Sequence, residues 1–337
     1  MHIRNTSSTR LVLSGGFFLA VLLAGCAKPA NDALVIYAYD SFASEWGLGP
    51  LVLPAFEEAT GIKVELVAAG DAGQALAKAI DEKSNPKADI ILGIDNHLLS
   101  KALAADILES YKPKNASKVP SGLVLDSQWR LTPFDWGSFA IIWDSEKLAN
   151  PPGSLEELTK SDYARSLILM DPRTSSPGYG FLAWTKAVYG EGLADYWKRL
   201  KPSILTMSPG WDTGYGLFTA GEAPLVLSYT TSPAYHAEYE SSGRYRALIF
   251  PEGHPIQIEG VGILKGTKRR EAARAFIDFV LSATFQDAVP LGNWMYPVIE
   301  DTPLPTSFDF APKPDKDLRV EASSLDIAER AALDALK

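Results

Sequence analysis

Residues 34–68 read LVIYAYDSFASEWGLGPLVLPAFEEATGIKVELVA, and this stretch decides the fold class. Its β-rich start, residues 34–39, is typical of a buried strand. A helix is predicted over residues 51–60, followed by Gly61, a residue type that readily takes the left-handed conformation at a helix end. A second strand is predicted over residues 63–68. Strand, helix and strand in this order predict a βαβ unit with a parallel sheet.

The same alternation continues along the chain. Further strands are predicted at residues 88–93, 139–143, 166–170, 224–229, 246–250 and 256–264, and further helices at residues 75–80, 180–188, 271–281 and 325–336. The last strands return the chain to the first block. We therefore predict an α/β protein with two lobes joined by two crossovers. Lobe 1 is formed by residues 34–138 and 251–337, and lobe 2 by residues 139–250.

The first residues have the pattern of an export signal. Two arginines accompany an apolar run at residues 11–23, which is shorter than the about 20 residues that span a bilayer. The run ends in LAGC at residues 23–26, the pattern that lipoprotein signal peptidase recognises before an acylated cysteine. We predict a signal peptide over 1–25, a lipid on Cys26, a tether over 26–33, and a membrane-anchored protein that faces the periplasm or the cell exterior. An ordinary signal peptide with an incidental cysteine is the alternative.

Composition argues against several classes of function. With 46% hydrophobic and 22% charged residues, the chain is typical of a globular protein. Its net charge of −9 argues against binding of nucleic acid, whose phosphates would be repelled. Cys26 is the only cysteine, so the chain has neither a disulfide framework nor a thiolate metal cluster. We predict a monomer without a metal or cofactor.

Familiar catalytic motifs are missing from the sequence. His97, His236 and His254 are isolated, and His2 lies in the predicted signal peptide. The sequence has no His-Glu-x-x-His pair, no Gly-x-Ser-x-Gly turn and no Gly-Lys-Ser/Thr phosphate loop. We therefore predict that the protein is not an enzyme.

Two segments combine hydroxyl groups with a proline at a predicted helix start. They are residues 171–178, DPRTSSPG, and residues 228–235, SYTTSPAY. Free backbone N–H groups and the macrodipole at a helix N-terminus favour an anion there. The two turns together favour a phosphate or carboxylate between them. Ordinary capped turns are the alternative, and they far outnumber anion sites.

Aromatic residues gather near predicted strand ends, where open α/β sheets bind ligands. Tyr39 and Trp46 follow the first strand, and Asp40, Asp71 and Asp135 lie beside other rings. A cleft of rings and carboxylates suits a planar, positively charged solute through stacking and cation–π attraction, worth roughly 0.5–2 kcal/mol per contact. Packing in the core is the alternative for many of these rings.

Four segments together resemble the periplasmic thiamine-binding proteins of thiamine ABC importers. They are residues 39–46, YDSFASEW; 171–175, DPRTS; 228–235, SYTTSPAY; and 292–297, GNWMYP. The resemblance keeps one order from residue 34 to residue 303. It implies a two-lobed type II periplasmic-binding-protein fold with a double crossover. It also implies that thiamine, thiamine monophosphate or thiamine diphosphate binds between the lobes and passes to an ABC permease with its ATPase subunit.

The resemblance also implies a set of ligand-binding residues. Rings would sandwich the pyrimidine and thiazolium, Asp71 would meet an amino group or the cation, and Ser175 with Ser176 would hold the phosphate. The positions that match the family's pocket are Tyr39, Trp46, Asp71, Ala72, Ser175, Ser176, Trp211, Tyr229, Thr230, Thr231, Ser232, Tyr235 and Trp294. Two positions depart from the family, since Ala72 stands where glycine is usual and Trp136 where tyrosine is usual.

Two other functions stay open. A ferric-ion or polyamine receptor of the same fold is one, because Tyr229 and Tyr235 resemble a pair of iron ligands; the few histidines and the many tryptophans disfavour iron. A thiamine-processing enzyme on the same scaffold is the other. The absence of a cysteine nucleophile disfavours it, because Cys26 carries the predicted lipid.

Overall fold

The computed structural model describes residues 33–320 and 325–337. The predicted signal peptide, the predicted acylation site Cys26 and the predicted tether up to Asp32 lie outside these residues. Across the described ranges, no helix combines the length and the apolar character needed to cross a membrane.

The strands join in one continuous sheet of mixed direction. Their bounds are β1 Leu34–Ala38, β2 Val64–Ala68, β3 Ile90–Asp95, β4 Leu108–Glu109, β5 Thr132–Asp144, β6 Leu167–Met170, β7 Ile204–Ser208, β8 Leu225–Tyr229, β9 Tyr245–Leu248, β10 His254–Leu264, β11 Tyr296–Pro297 and β12 Asp317–Leu318. The main order is β2-β1-β3-β10-β5-β8-β6-β7. The short strands β4 and β12 pair with β10, and β9 and β11 pair with β5.

Helices connect these strands, both at the predicted positions and at others that were not predicted. Their bounds are α1 Asp40–Ala43, α2 Leu48–Thr60, α3 Ala72–Asp81, α4 Leu99–Ala104, α5 Ser176–Tyr189, α6 Leu193–Leu200, α7 Trp211–Thr219, α8 Ser232–Glu240, α9 Arg270–Val280, α10 Ala283–Gln286, α11 Val289–Gly292 and α12 Leu325–Ala335. The predicted helix stop at Gly61 is confirmed, because this residue has φ +72° and its N–H bonds the carbonyl of Glu57.

The prediction of a parallel sheet is only partly right. β1 pairs in parallel with β2 and β3, and β6 pairs in parallel with β7 and β8. The long strands β5 and β10 instead run antiparallel to their neighbours in the middle of the sheet. The first half of β5 pairs with β10, and its second half pairs with β8 and β9. Because β5 is shared in this way, it joins the strands β1 to β3 from the first block of the chain to the strands β6 to β8 from the second.

Apolar side chains cover both faces of the sheet. β3 shows this most clearly, because Ile90 and Leu92 belong to one hydrophobic cluster and Ile91 and Ile94 to another. Such burial on both faces is typical of strands with helices on either side. The sheet is therefore a rigid base for the loops at its carboxyl edge.

The C-terminal helix α12 packs on helices of the second block of the chain. α12 lies against α5 and α6, which belong to the segment predicted as lobe 2, whereas the prediction placed it in lobe 1. Its buried face contains Leu325, Ala328 and Ala332, and the Tyr179 hydroxyl donates a 3.2 Å hydrogen bond to Asp326. The lobe boundaries remain a prediction, and these contacts favour placing α12 with residues 139–250.

Candidate functional site

A cavity of about 380 Å³ lies at the carboxyl edge of the sheet. Residues directly after β1 and β7 line it together with Tyr229 at the end of β8, and so do the first residues of α5, α7 and α8. The first turns of these helices therefore form part of the cavity wall.

Most of the predicted ligand-binding residues come together in this cavity. Those that line it are Tyr39, Trp46, Asp71, Ser176, Trp211, Tyr229, Ser232, Tyr235 and Trp294. Ala72, Ser175, Thr230 and Thr231 do not line it and are buried behind its wall. Ser175 caps α5, because its hydroxyl accepts a bond from the N–H of Gly178. Contact of each residue with a ligand remains a prediction.

Trp211 forms one aromatic wall of the cavity at the start of α7. Its ring stacks on Tyr215 with centroids 4.9 Å apart and an interplanar angle of 18°. Its Nε1–H donates a 2.8 Å hydrogen bond to the hydroxyl of Ser228. The indole is thus fixed in orientation before any ligand arrives.

Trp294 forms a second wall in an unusual backbone conformation. Its φ is +56°, in the left-handed region that bulky residues rarely adopt. Its ring packs edge-on against Tyr235, with centroids 5.2 Å apart, and against Tyr239, with centroids 5.5 Å apart. Such strain costs on the order of 1–3 kcal/mol and is concentrated at functional sites. Trp46 stands at the rim with 51% of its surface exposed.

Tyr39 enters the cavity from the end of β1. A Cβ atom at Gly93 would lie only 2.2 Å from the Tyr39 ring, and Gly93 has φ +99°, so glycine is needed there. The Tyr39 hydroxyl donates a 2.7 Å hydrogen bond to Glu259. Burial raises the pKa of this tyrosine well above its usual value, and the neighbouring carboxyl of Glu259 adds to the rise.

Asp71 caps α3 and is buried at the base of the cavity. Its Oδ1 accepts a 2.6 Å bond from the N–H of Ala72, and its Oδ2 accepts a 2.9 Å bond from the N–H of Trp211. Burial raises the pKa of Asp71, whereas these hydrogen bonds act to lower it. The carboxylate therefore joins the N-termini of two helices that belong to different blocks of the chain.

The charges around the cavity all have one sign. Asp40, Asp71, Asp212 and Glu259 line it, and among the described lining residues there is no lysine, arginine or histidine. Carboxylates in a cleft with apolar walls attract cations. Within residues 33–320 and 325–337, no group of three or more His, Cys, Asp or Glu side chains is arranged to hold a metal ion.

Sequence reasoning missed several residues of the cavity. Glu259, Asn293, Asp212 and Gln74 line it but were not predicted to bind ligand. Glu259 carried a usable signal, because it is the only acidic residue in the largely apolar strand β10. The others lie in loops or at helix starts, where sequence alone does not show which side chains face inward.

Comparison with known proteins finds a matching family model and several similar proteins. A family model described as bacterial extracellular solute-binding protein matches residues 85–321. The thiamine-binding periplasmic protein of Brucella melitensis is 44% identical over 92% of this chain and 92% of its own length. The protein of the same name in Escherichia coli is 44% identical over 87% of this chain and 89% of its own.

Solved structures share the fold. One described as periplasmic thiamin binding protein matches with a TM-score of 0.85 and 39% identity, covering 90% of this chain and 96% of its own. A ferric binding protein from Campylobacter jejuni matches with a TM-score of 0.74 over 90% of this chain and 98% of its own. At 21% identity, that second likeness concerns the fold alone. The predicted type II periplasmic-binding-protein fold is confirmed.

Proposed function

Because this chain belongs to the bacterial extracellular solute-binding proteins, and within them to the thiamine-binding periplasmic proteins, we propose that it is the thiamine receptor of an ABC importer. Thiamine or one of its phosphates binds in the cavity and is then delivered to a permease and its ATPase subunit. Thiamine is cargo here and not a cofactor. The receptor works as a monomer and performs no catalysis.

The composition of the cavity carries this proposal. Rings of Tyr39, Trp211, Tyr235 and Trp294 line it together with four carboxyl groups, and no cationic side chain is among the described lining residues. Thiamine has two flat rings, one of which is a permanent cation. Stacking and cation–π attraction on such walls favour this combination, and the cavity is within the usual size range for small ligands.

The helix N-termini supply the place for a phosphate. Ser176 at the start of α5 and Thr213 in the first turn of α7 line the cavity, and each carries a hydroxyl, whereas the N–H of Trp211 is taken by Asp71. We place the phosphate at the end of the cavity where Ser176 lies. With no lysine or arginine among the described lining residues, backbone N–H groups and hydroxyls are the donors for a phosphate. The carboxyl groups attract the thiazolium.

Export and anchoring fit this role. In the proposal Cys26 carries a lipid that keeps the receptor at the membrane, where its effective concentration near the permease is high. Closure of the two lobes on ligand is a hinge motion, and differential affinity for the closed state is what shifts the population.

Isothermal calorimetry tests the proposal. The purified chain from Ala27 onward is expected to bind thiamine with sub-micromolar affinity, and its tryptophan fluorescence to fall on binding. Ferric ion and spermidine are titrated in parallel. Heat from either of them, and none from thiamine, would show that the receptor binds that ligand instead of thiamine. Chromatography of the bound thiamine separates receptor from enzyme, because a receptor returns it chemically unchanged.

A further inference from the structure

Three acidic side chains stand in one row across the middle of the sheet. Glu259 on β10 is in register with Asp95 on β3 and with Asp135 on β5. Side chains directly opposite each other on neighbouring strands have Cβ atoms about 4.5–5.5 Å apart, where like charges destabilise the pair. All three residues are buried. Something must offset their mutual repulsion.

The carboxylate of Asp95 accepts hydrogen bonds from backbone N–H groups of the loop that follows it. Its Oδ1 accepts hydrogen bonds from the N–H groups of His97 and Leu98, at 3.0 and 2.8 Å. No comparable set of donors reaches Asp135, whose Oδ1 is buried without a hydrogen-bond partner. Its Oδ2 accepts a 2.5 Å bond from the amide of Asn293.

A hydrogen-bond chain joins the remaining two carboxyl groups. The Asn293 amide donates to Asp135 and, at 2.8 Å, to the hydroxyl of Tyr39. Tyr39 in turn donates to Glu259 Oε2, and the amide of Gln257 donates to Oε1 at 2.6 Å. Of these groups, Tyr39, Asn293 and Glu259 line the cavity. The pair is therefore connected to the ligand space at its Glu259 end.

The groups that face the pair bring no positive charge. They are Tyr39 after β1, Asp95 on β3, Gln257 on β10, Asn293 after α11 and, beyond Gln257, the Tyr229 hydroxyl on β8, with Asp71 also adding negative potential. Neither Asp135 nor Glu259 is in an ion pair with a described residue. Burial raises the pKa of Asp135 to about 8, and burial together with Asp135 raises that of Glu259.

We propose that Asp135 and Glu259 form a proton-holding pair that recognises the ligand's positive charge, so that thiamine binding releases a proton. In the empty cavity one carboxyl keeps its proton, which avoids two unpaired buried charges. When a cationic ring settles against Glu259, that positive charge replaces the proton, which leaves to water. The inference rests on the proposed function, because it takes thiamine as the cation.

Calorimetry in two buffers of different ionisation enthalpy at the same pH counts the protons exchanged. At pH 7 we expect release of close to one proton per thiamine, and affinity that rises as the pH increases, by up to about tenfold per unit below the pKa of the pair. The uncharged thiamine analogue in which carbon replaces the thiazolium nitrogen should bind without releasing a proton. Thiamine that binds with no proton release would overturn the inference and leave the proposed function standing.

Variants test whether the released proton comes from Asp135 and Glu259. Asp135→Asn and Glu259→Gln should each abolish most of the release, and Asp81→Asn is the matched control, an exposed carboxyl outside the cavity whose loss should leave the proton count unchanged. Release that persists in both pair variants would refute the assignment.

The thiamine-free protein provides a separate readout. Its infrared spectrum at pH 6 should contain the carbonyl stretch of a protonated carboxyl, which Asp135→Asn or Glu259→Gln removes or shifts. Absence of that band in the unsubstituted protein would overturn the inference even if thiamine does not bind at all. Failure of thiamine binding alone would instead count against the proposed function.

Discussion

The Asp71 carboxylate accepts a 2.9 Å hydrogen bond from the backbone N–H of Trp211, a residue 140 positions further along the chain. Asp71 belongs to the segment predicted as lobe 1 and Trp211 to lobe 2. The same carboxylate caps α3 through the N–H of Ala72. Each of its oxygens thus serves a different helix N-terminus, where the helix dipole favours a negative charge. The bond ties the two blocks of the chain together at the base of the cavity.

Replacing Asp71 with asparagine should weaken thiamine binding at least about tenfold, which corresponds to about 1.4 kcal/mol. Asparagine still caps α3 well, but its amide has one acceptor oxygen where the carboxylate has two. One of the two N–H groups then loses its partner, and the closed arrangement is disfavoured. Calorimetry measures the change. Asp81→Asn, at the exposed far end of the same helix, is the matched control and should bind normally.

Replacing Trp211 with alanine should also lower thiamine affinity by at least roughly tenfold. The substitution removes the ring that stacks on Tyr215 and the aromatic surface offered to the ligand. Fluorescence quenching by thiamine should shrink as well. Trp143→Phe removes an indole outside the cavity and should leave both affinity and quenching nearly unchanged. An unaltered affinity in Trp211→Ala would show that this residue does not contribute to thiamine binding.

Many of the strands and helices were predictable because local patterns specify them, and the resemblance to a known family implied the fold they form. Apolar runs bounded by turn residues gave the strands and helices, and Gly61 marked a helix end through a conformation that glycine adopts readily. The direction of β5 and β10 was not predictable in the same way. It depends on which distant strands pair, and no local pattern encodes that choice. The packing of α12 on α5 and α6 is a long-range contact of the same kind.

The candidate site, like the fold, could be predicted from the sequence only in part. Its rings and Asp71 were predicted because they stand at positions that match the pocket of a family the chain resembles. The opposition of Glu259 and Asp135 depends on the register between two long strands, which the sequence does not reveal. Ser175 was predicted as a ligand residue, which stays a prediction, and its hydroxyl also caps α5 in the structure. A hydroxyl before a helix serves either purpose, and only the position of the cavity distinguishes them.

Substitution of Ser176 by alanine should separate thiamine from its monophosphate. The residue starts α5 at the cavity end that we propose for the phosphate. A hydrogen bond from a hydroxyl to a charged group contributes about 1.5–3 kcal/mol, so affinity for the monophosphate should fall at least about tenfold. Affinity for thiamine should change little. Ser41→Ala, at another part of the cavity wall, is the control, and an equal loss for both ligands in Ser176→Ala would contradict the assignment.

Cys26 should determine where the protein is found. In cells expressing the full chain, we expect the unsubstituted protein to incorporate labelled palmitate and to sediment with membranes. Cys26→Ser removes the only thiol that can carry the lipid, so label and membrane attachment should both be lost. Thiamine binding by the purified variant should be unaffected. A protein that stays soluble and unlabelled without any substitution would mean that the signal peptide is an ordinary one.

The stability of the ligand-free protein should decrease as the pH rises from 7 to 8. Burial raises the pKa of Asp135 to about 8 in the folded protein, whereas an unfolded aspartate titrates near about 3.9. Between these values the folded state binds more protons than the unfolded state, so the free energy of unfolding falls with increasing pH, by roughly 1 kcal/mol over this unit. Burial lowers the pKa values of His236 and His254, so their contribution to stability rises with pH and is opposite in sign to that of Asp135. Urea unfolding at both pH values measures the slope, which should be much flatter in Asp135→Asn. Stability that is constant or rising in the unsubstituted protein would show that Asp135 is already ionised at pH 7.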